Sequence, residues 1–188
     1  PEAYKVHRDV IEFGAKFSDD RIPDQALGLD PLATLVMRWM MASWPRIKFF
    51  NTYFGGTLIP RIELDLLPGF ACAAPFAILP PEPPRSIDDF VAAGAAVQRF
   101  WLAASREKLL IQPELTPLIF GWYVRAAKQF STVTTLWNDA VELNRRWSSL
   151  LGNDVADSAV FFGRIGMGSP PAARSRRLPL HIPTGKQR

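Results

Sequence analysis

Three arginines stand within four residues near the end of the chain: Arg174, Arg176 and Arg177. Guanidinium groups set that closely can grip a phosphate, because each forms bidentate, charge-assisted hydrogen bonds. They belong to a Pro-rich segment, residues 164–188, with six Lys/Arg and no Asp or Glu. The whole chain has 22 basic and 18 acidic residues, so residues 1–163 hold 16 and 18, and the net positive charge resides in this tail. An apolar run, Ala159-Val160-Phe161-Phe162, comes just before it, and a Gly-rich turn follows that run before the arginines. A strand there would deliver the arginines to one place. A solvated tail fits the same composition equally well.

The second stretch that could do chemistry is Leu110-Ile111-Gln112-Pro113-Glu114-Leu115-Thr116. A strand ending in Gln-Pro turns sharply before a helix start. Free N–H and C=O groups at Gln112, Pro113 and Glu114 could then bond the polar edge of a flat heterocycle. A plain strand-to-helix turn has the same pattern. Elsewhere the material is thin. There is no Gly-x-Ser-x-Gly, no Walker loop and no Cys pair, and the two histidines, His7 and His181, lie near opposite ends. No metal is expected from so few ligands. The acid pairs Asp19-Asp20 and Asp88-Asp89 read as loop and helix-start residues. With no evident nucleophile or acid–base pair, any chemistry would be carried by a cofactor.

The elements that must position these residues follow from periodicity and punctuation. Residues 3–17 read as a helix, with Tyr4, Val6, Val10, Ile11 and Phe13 on a broad face, and 18–30 as a polar connection. Asp30-Pro31 starts a helix over about 31–44 that is apolar nearly all round, hence buried or in an interface. Pro45 interrupts it, and an aromatic stretch follows through Phe54. Residues 57–68 suit a helix by the spacing of Leu58, Ile62 and Leu66, or a strand by alternation. Residues 70–79 read as a buried strand and 80–84 as a stiff linker. Ser86 caps a helix over 87–106, whose Ala/Gly cluster at 92–96 permits close packing. A short strand at 109–111 stops at Pro113. Helices follow over 115–129 and 132–150, the latter closed by Gly152. The last strand is 158–163. Short apolar strands spaced by helices imply an α+β sheet covered by helices on both faces.

Bulk numbers agree. A chain of 188 residues suffices for one sizeable core. The single Cys72 excludes an internal disulfide and fits a reducing, cytoplasmic setting; its apolar neighbours suggest a buried thiol. The longest apolar run is about ten residues, short of the roughly 20 a membrane span needs. A net charge of +4, with no aromatic residue in the tail to stack on a base, speaks against nucleic acid.

The series Ala93-Gly94-Ala95-Ala96-Val97-Gln98-Arg99-Phe100-Trp101-Leu102-Ala103-Ala104, then Gln112-Pro113, then Phe162-Gly163-Arg164-Ile165-Gly166, then Arg174-Ser175-Arg176-Arg177-Leu178-Pro179-Leu180, resembles the C-terminal part of the nitroreductase family. The nearest likeness is to a subtype fused behind a ubiquitin-activation-type adenylyltransferase domain in bacteria. The resemblance implies a helix-rich, three-layer α/β/α sandwich that binds FMN and moves hydride from NAD(P)H through the flavin to an unknown acceptor. It implies Gln112, Pro113 and Glu114 at the ring, Arg174, Arg176 and Arg177 at the phosphate, and a homodimer sharing the flavin site. Residues 1–84 would be a helical, lid-like insertion plus one core strand, 85–168 the flavin core and 169–188 the tail. The family's Arg-x-Ser-x-Arg-like opening, its first helices and its first strand have no counterpart here. More polypeptide before Pro1, or a second chain, is therefore expected to complete the domain. The alternative is a non-catalytic domain that sequesters flavin or serves assembly.

Overall fold

The structure, a computed structural model, describes residues 2–56, 58–169 and 172–176. Helix accounts for 58% of it and strand for 14%, so the class is mixed α and β, with strands few enough that helices must supply most of the packing. The chain divides into two compact units, Pro1–Pro68 with Pro170–Arg188, and Gly69–Ser169.

The first unit begins with α1 (Glu2–Val10), which stops well short of residue 17. Gly14, at φ +82°, turns the chain between residues 12 and 17. Three two-residue strands follow: β1 (Ile11–Glu12), β2 (Phe17–Ser18) and β3 (Ile22–Pro23). β1 pairs parallel with β3. α2 (Pro31–Met41) opens as expected, with the Asp30 carboxylate accepting from the N–H groups of Leu32 at 2.7 Å and Ala33 at 3.0 Å. Its far end is held by Arg8, whose Nη1 donates to the carbonyls of Met41 and Ala42. Pro45 begins a new helix, α3 (Trp44–Tyr53). The ambiguous stretch is helical: α4 (Leu58–Arg61), a π-wound segment Ile62–Leu66 and α5 (Leu67–Ala71). The unit is pinned by Asp24, which is fully buried. Arg38 grips it with Nε on Oδ2 and Nη2 on Oδ1, and Gly14 N–H donates to Oδ2 at 3.0 Å. Burial would raise the Asp24 pKa, but these bonds outweigh it and hold the carboxyl below its ordinary value.

The second unit is built on β4 (Ala74–Ile78), β5 (Leu110–Pro113) and β6 (Phe161–Gly166). The order is β4-β6-β5, and β6 runs antiparallel to both neighbours. β4, α6 (Ile87–Arg106) and β5 thus form a split β-α-β unit with β6 inserted. Ser86 and Asp89 close a reciprocal capping box at the start of α6. Side chains alternate along β6. Phe161 meets Trp101 of α6 and Phe76 of β4, and Phe76 meets Phe100 of α6 at 4.8 Å. Phe162 points the other way, onto Trp147 of α8 (Thr134–Leu151) at 4.7 Å. Helices therefore cover both faces of this small sheet. α7 (Thr116–Arg125) packs on α8, and α9 (Asn153–Ser158) leads into β6.

Several expected boundaries moved. The strand expected at 70–79 is shorter, because Pro68 sits in the first turn of α5, where it is tolerated, and the helix runs on to Ala71. The last strand starts three residues later than 158, since 153–158 continue as helix after Gly152. Helix 31–44 is not buried all round: Leu32, Leu35 and Trp39 are exposed. Cys72 is half-buried.

Candidate functional site

β5 lies at the edge of the three-stranded sheet and ends in the Gln112-Pro113 pair. In register, Gln112 faces Arg164 and Pro113 faces Gly163. Glu114 N–H donates to the Phe162 carbonyl at 2.9 Å, so the ladder continues through the turn. Ladder hydrogen bonds alternate along an antiparallel strand. The backbone groups on β5 that point away from β6 are accordingly those of Ile111 and the carbonyl of Pro113. The Glu114 N–H is spent inside the sheet.

The Glu114 side chain is also engaged, since its Oε1 lies 2.7 Å from Nε of Arg164, which is only 6% exposed. Sequence reasoning placed Arg164 at the start of the basic tail. The structure removes it from solvent and gives it to Glu114. Gly163 lets β5 lie close to β6: a Cβ there would stand 2.7 Å from the Gln112 carbonyl oxygen.

Arg174 and Arg176 lie in the other compact unit. There β7 (Arg174–Ser175) runs parallel to β2, with Phe17 opposite Arg174 and Ser18 opposite Ser175. The backbone bonds are Arg174 N–H to the Lys16 carbonyl and Arg176 N–H to the Ser18 carbonyl. Arg176 Nε lies 3.0 Å from the Asp19 carboxylate, and its guanidinium stands over the Phe17 ring. Both partners of that pair are more than half exposed, so the bridge is weak and an anion could compete for the arginine. Arg174 is exposed. Arg177 lies outside the described residues. The structure thus groups Gln112, Pro113 and Glu114 in one unit and Arg174 with Arg176 in the other.

Sequence reasoning missed a cleft of about 560 Å³ that opens one residue beyond Glu114. Its walls include Leu115, Phe90 of α6, and Ile119, Trp122 and Tyr123 of α7. The ion pair of Arg125 and Asp157, 3.2 Å apart, lies at the cleft. Tyr123 is braced from behind by Phe120 and Phe130. The adjacent Trp122-Tyr123 pair was the available signal, but no spacing rule joins it to Phe90 or to the Pro83-Pro84 segment that completes the wall. Among the described residues no group of His, Cys, Asp and Glu is placed to hold a metal, and no helix is long and apolar enough to cross a membrane. No protein-family model, no curated protein and no solved structure matches this chain.

Proposed function

We propose that this chain is the FMN-binding part of a nitroreductase-like flavoprotein, with NAD(P)H as reductant, a homodimeric assembly and a cytoplasmic setting. One observation supports this best. Three of the four motifs behind the resemblance meet in a single small sheet. Gln112-Pro113 and Phe162-Gly163-Arg164-Ile165-Gly166 are neighbouring strands, and the Ala/Gly-rich helix covers that sheet through Phe100 and Trp101. Each unit offers groups of a kind that a flavin would use. In one unit the edge strand offers the Pro113 carbonyl and the Ile111 backbone to a ring; in the other, taken by itself, Arg174 and Arg176 offer guanidinium groups to an anion. Bound FMN would supply two-electron hydride chemistry, while the chain's residues bind and orient it.

The test is titration of the purified chain with FMN, followed by flavin fluorescence and visible absorbance. Saturable uptake is expected, with riboflavin, which lacks the phosphate, binding about tenfold or more weakly, the loss of at least one charge-assisted contact. Arg174→Ala should narrow that gap. Failure to take up FMN, or equal affinity for FMN and riboflavin, would refute the proposal. The non-catalytic alternative is favoured by the exposed aromatic helices of residues 31–54. A bound flavin that NAD(P)H cannot reduce would select it.

A further inference from the structure

We propose that the cleft between α6 and α7 is a separate binding site for a planar aromatic ring bearing an anionic group. It stands independently of the flavin proposal, because it uses none of Gln112, Pro113, Glu114 or the tail arginines. A volume of about 560 Å³ lies in the ordinary range for small-molecule sites, and the lining has the ordinary composition, largely apolar with a few polar groups. Phe90, Ile119 and Trp122 form its walls while remaining 51%, 48% and 47% exposed. Large apolar side chains left open around a concavity favour a flat hydrophobic occupant.

The charged groups in and beside the cleft favour an anionic occupant. Arg125 pairs with Asp157 at 3.2 Å and also donates to Asn144 Oδ1 at 3.4 Å. Lys128 stands over the Trp122 ring at 5.4 Å. Arg125 and Asp157 are the charged residues of the lining, and Lys128 adds a second cation next to one of its walls, Trp122. The Asp157 side chain is 53% exposed, so its hold on Arg125 is that of a surface bridge, weak enough for a ligand carboxylate or sulfonate to share or displace it. Arg125 would contact the ligand's anionic group, and Asp157 would act as the competitor that sets its affinity.

Three ligands of one shape separate the contributions: 2-naphthoate, neutral 2-naphthalenemethanol and the cation 2-naphthylmethylammonium, titrated into the chain by calorimetry. The anion should bind about tenfold tighter than the alcohol, and the cation weakest. Arg125→Gln should erase the anion's advantage and leave the alcohol unchanged. Asp157→Asn should act in the opposite direction, raising naphthoate affinity several-fold. Ile119→Trp, which fills the cleft, should weaken all three. If Arg125→Gln does not fold, the direction of the Asp157→Asn effect still decides. No binding by the unmodified chain, equal affinity for the three charges, or weaker naphthoate binding by Asp157→Asn would each overturn the proposal. The FMN titration serves as the independent control, because FMN uptake should be unaffected by Ile119→Trp.

Discussion

Replacing Glu114 by Gln should reveal what holds the end of β5. The substitution keeps the shape of the side chain and removes its charge, leaving Arg164 6% exposed opposite a neutral amide. Taking one partner from a buried ion pair costs about 3–5 kcal/mol, because the remaining charge stays out of water. The Glu114 side chain is 28% exposed, so solvent recovers part of this, and about 2–3 kcal/mol is the expected loss. For a unit of this size that lowers the melting temperature by roughly 10 °C. Urea unfolding followed by tryptophan fluorescence reports it, since Trp101 and Trp147 pack against Phe161 and Phe162 of β6. Hydrogen exchange should rise in peptides covering 110–116 and 161–166 and stay unchanged in 11–27. The double replacement Glu114→Leu with Arg164→Met removes both charges and should restore much of the loss, giving a coupling above about 1 kcal/mol. A Glu114→Gln protein within about 0.5 kcal/mol of the parent, or strictly additive single changes, would show that the pair does not pin the turn.

Two further substitutions test the scaffold. Asp24→Asn should cost the first unit about 2–4 kcal/mol at neutral pH, because Arg38 loses a buried carboxylate. The folded Asp24 pKa is depressed, so its stabilisation is complete above the unfolded value of about 4 and disappears as pH falls through the folded value. The variant should therefore lose stability less steeply below pH 4, and an acid limb identical to the parent's would contradict this. Gly163→Ala should cost about 2 kcal/mol or more, since its Cβ would sit 2.7 Å from a backbone carbonyl that cannot rotate away. A melting temperature within about 2 °C of the parent would mean that β5 and β6 separate at little cost.

Elements with strong local signals were legible in the sequence. α6 begins where Ser86 and its acidic first turn predict, because a capping box is a local device. The Gly152 stop of α8 is of the same kind. The miniature strands of the first unit were not legible. Two residues carry no periodicity, and β2 finds its partner 157 residues later, when Phe17 pairs with Arg174. Asp24 was hidden for a related reason. It reads as one more polar residue in a connection, and its significance lies in Arg38, the lone charge of an otherwise apolar helix. At the candidate site, the strand ending in Gln-Pro was visible. That Glu114 spends its N–H and its carboxylate on β6 was not, because both bonds depend on which strand becomes the neighbour.

Burial bears on the assembly more directly than any motif does. Among the described residues the buried apolar side chains are Ile11, Ala104, Ala140, Trp147, Ala156, Phe161 and Ala173, and four of these seven are alanines. Such side chains remove little surface from water, at about 25 cal/mol per Å². Meanwhile α6 turns Ile87, Val91 and Leu102 outward, each at least 60% exposed, on the side where Gly94 could take a Cβ without meeting any atom. α2 exposes Leu32, Leu35 and Trp39, and the Phe49, Tyr53 and Phe54 rings of the following segment pack mainly on one another. Apolar helix faces of this extent are the kind of surface that interaction sites use. In the homodimer proposed above, a second copy would be one candidate to meet them. The same requirement explains why composition read residues 31–44 as buried or interfacial: hydrophobicity reports that a face must leave water, and does not say whose surface it will meet.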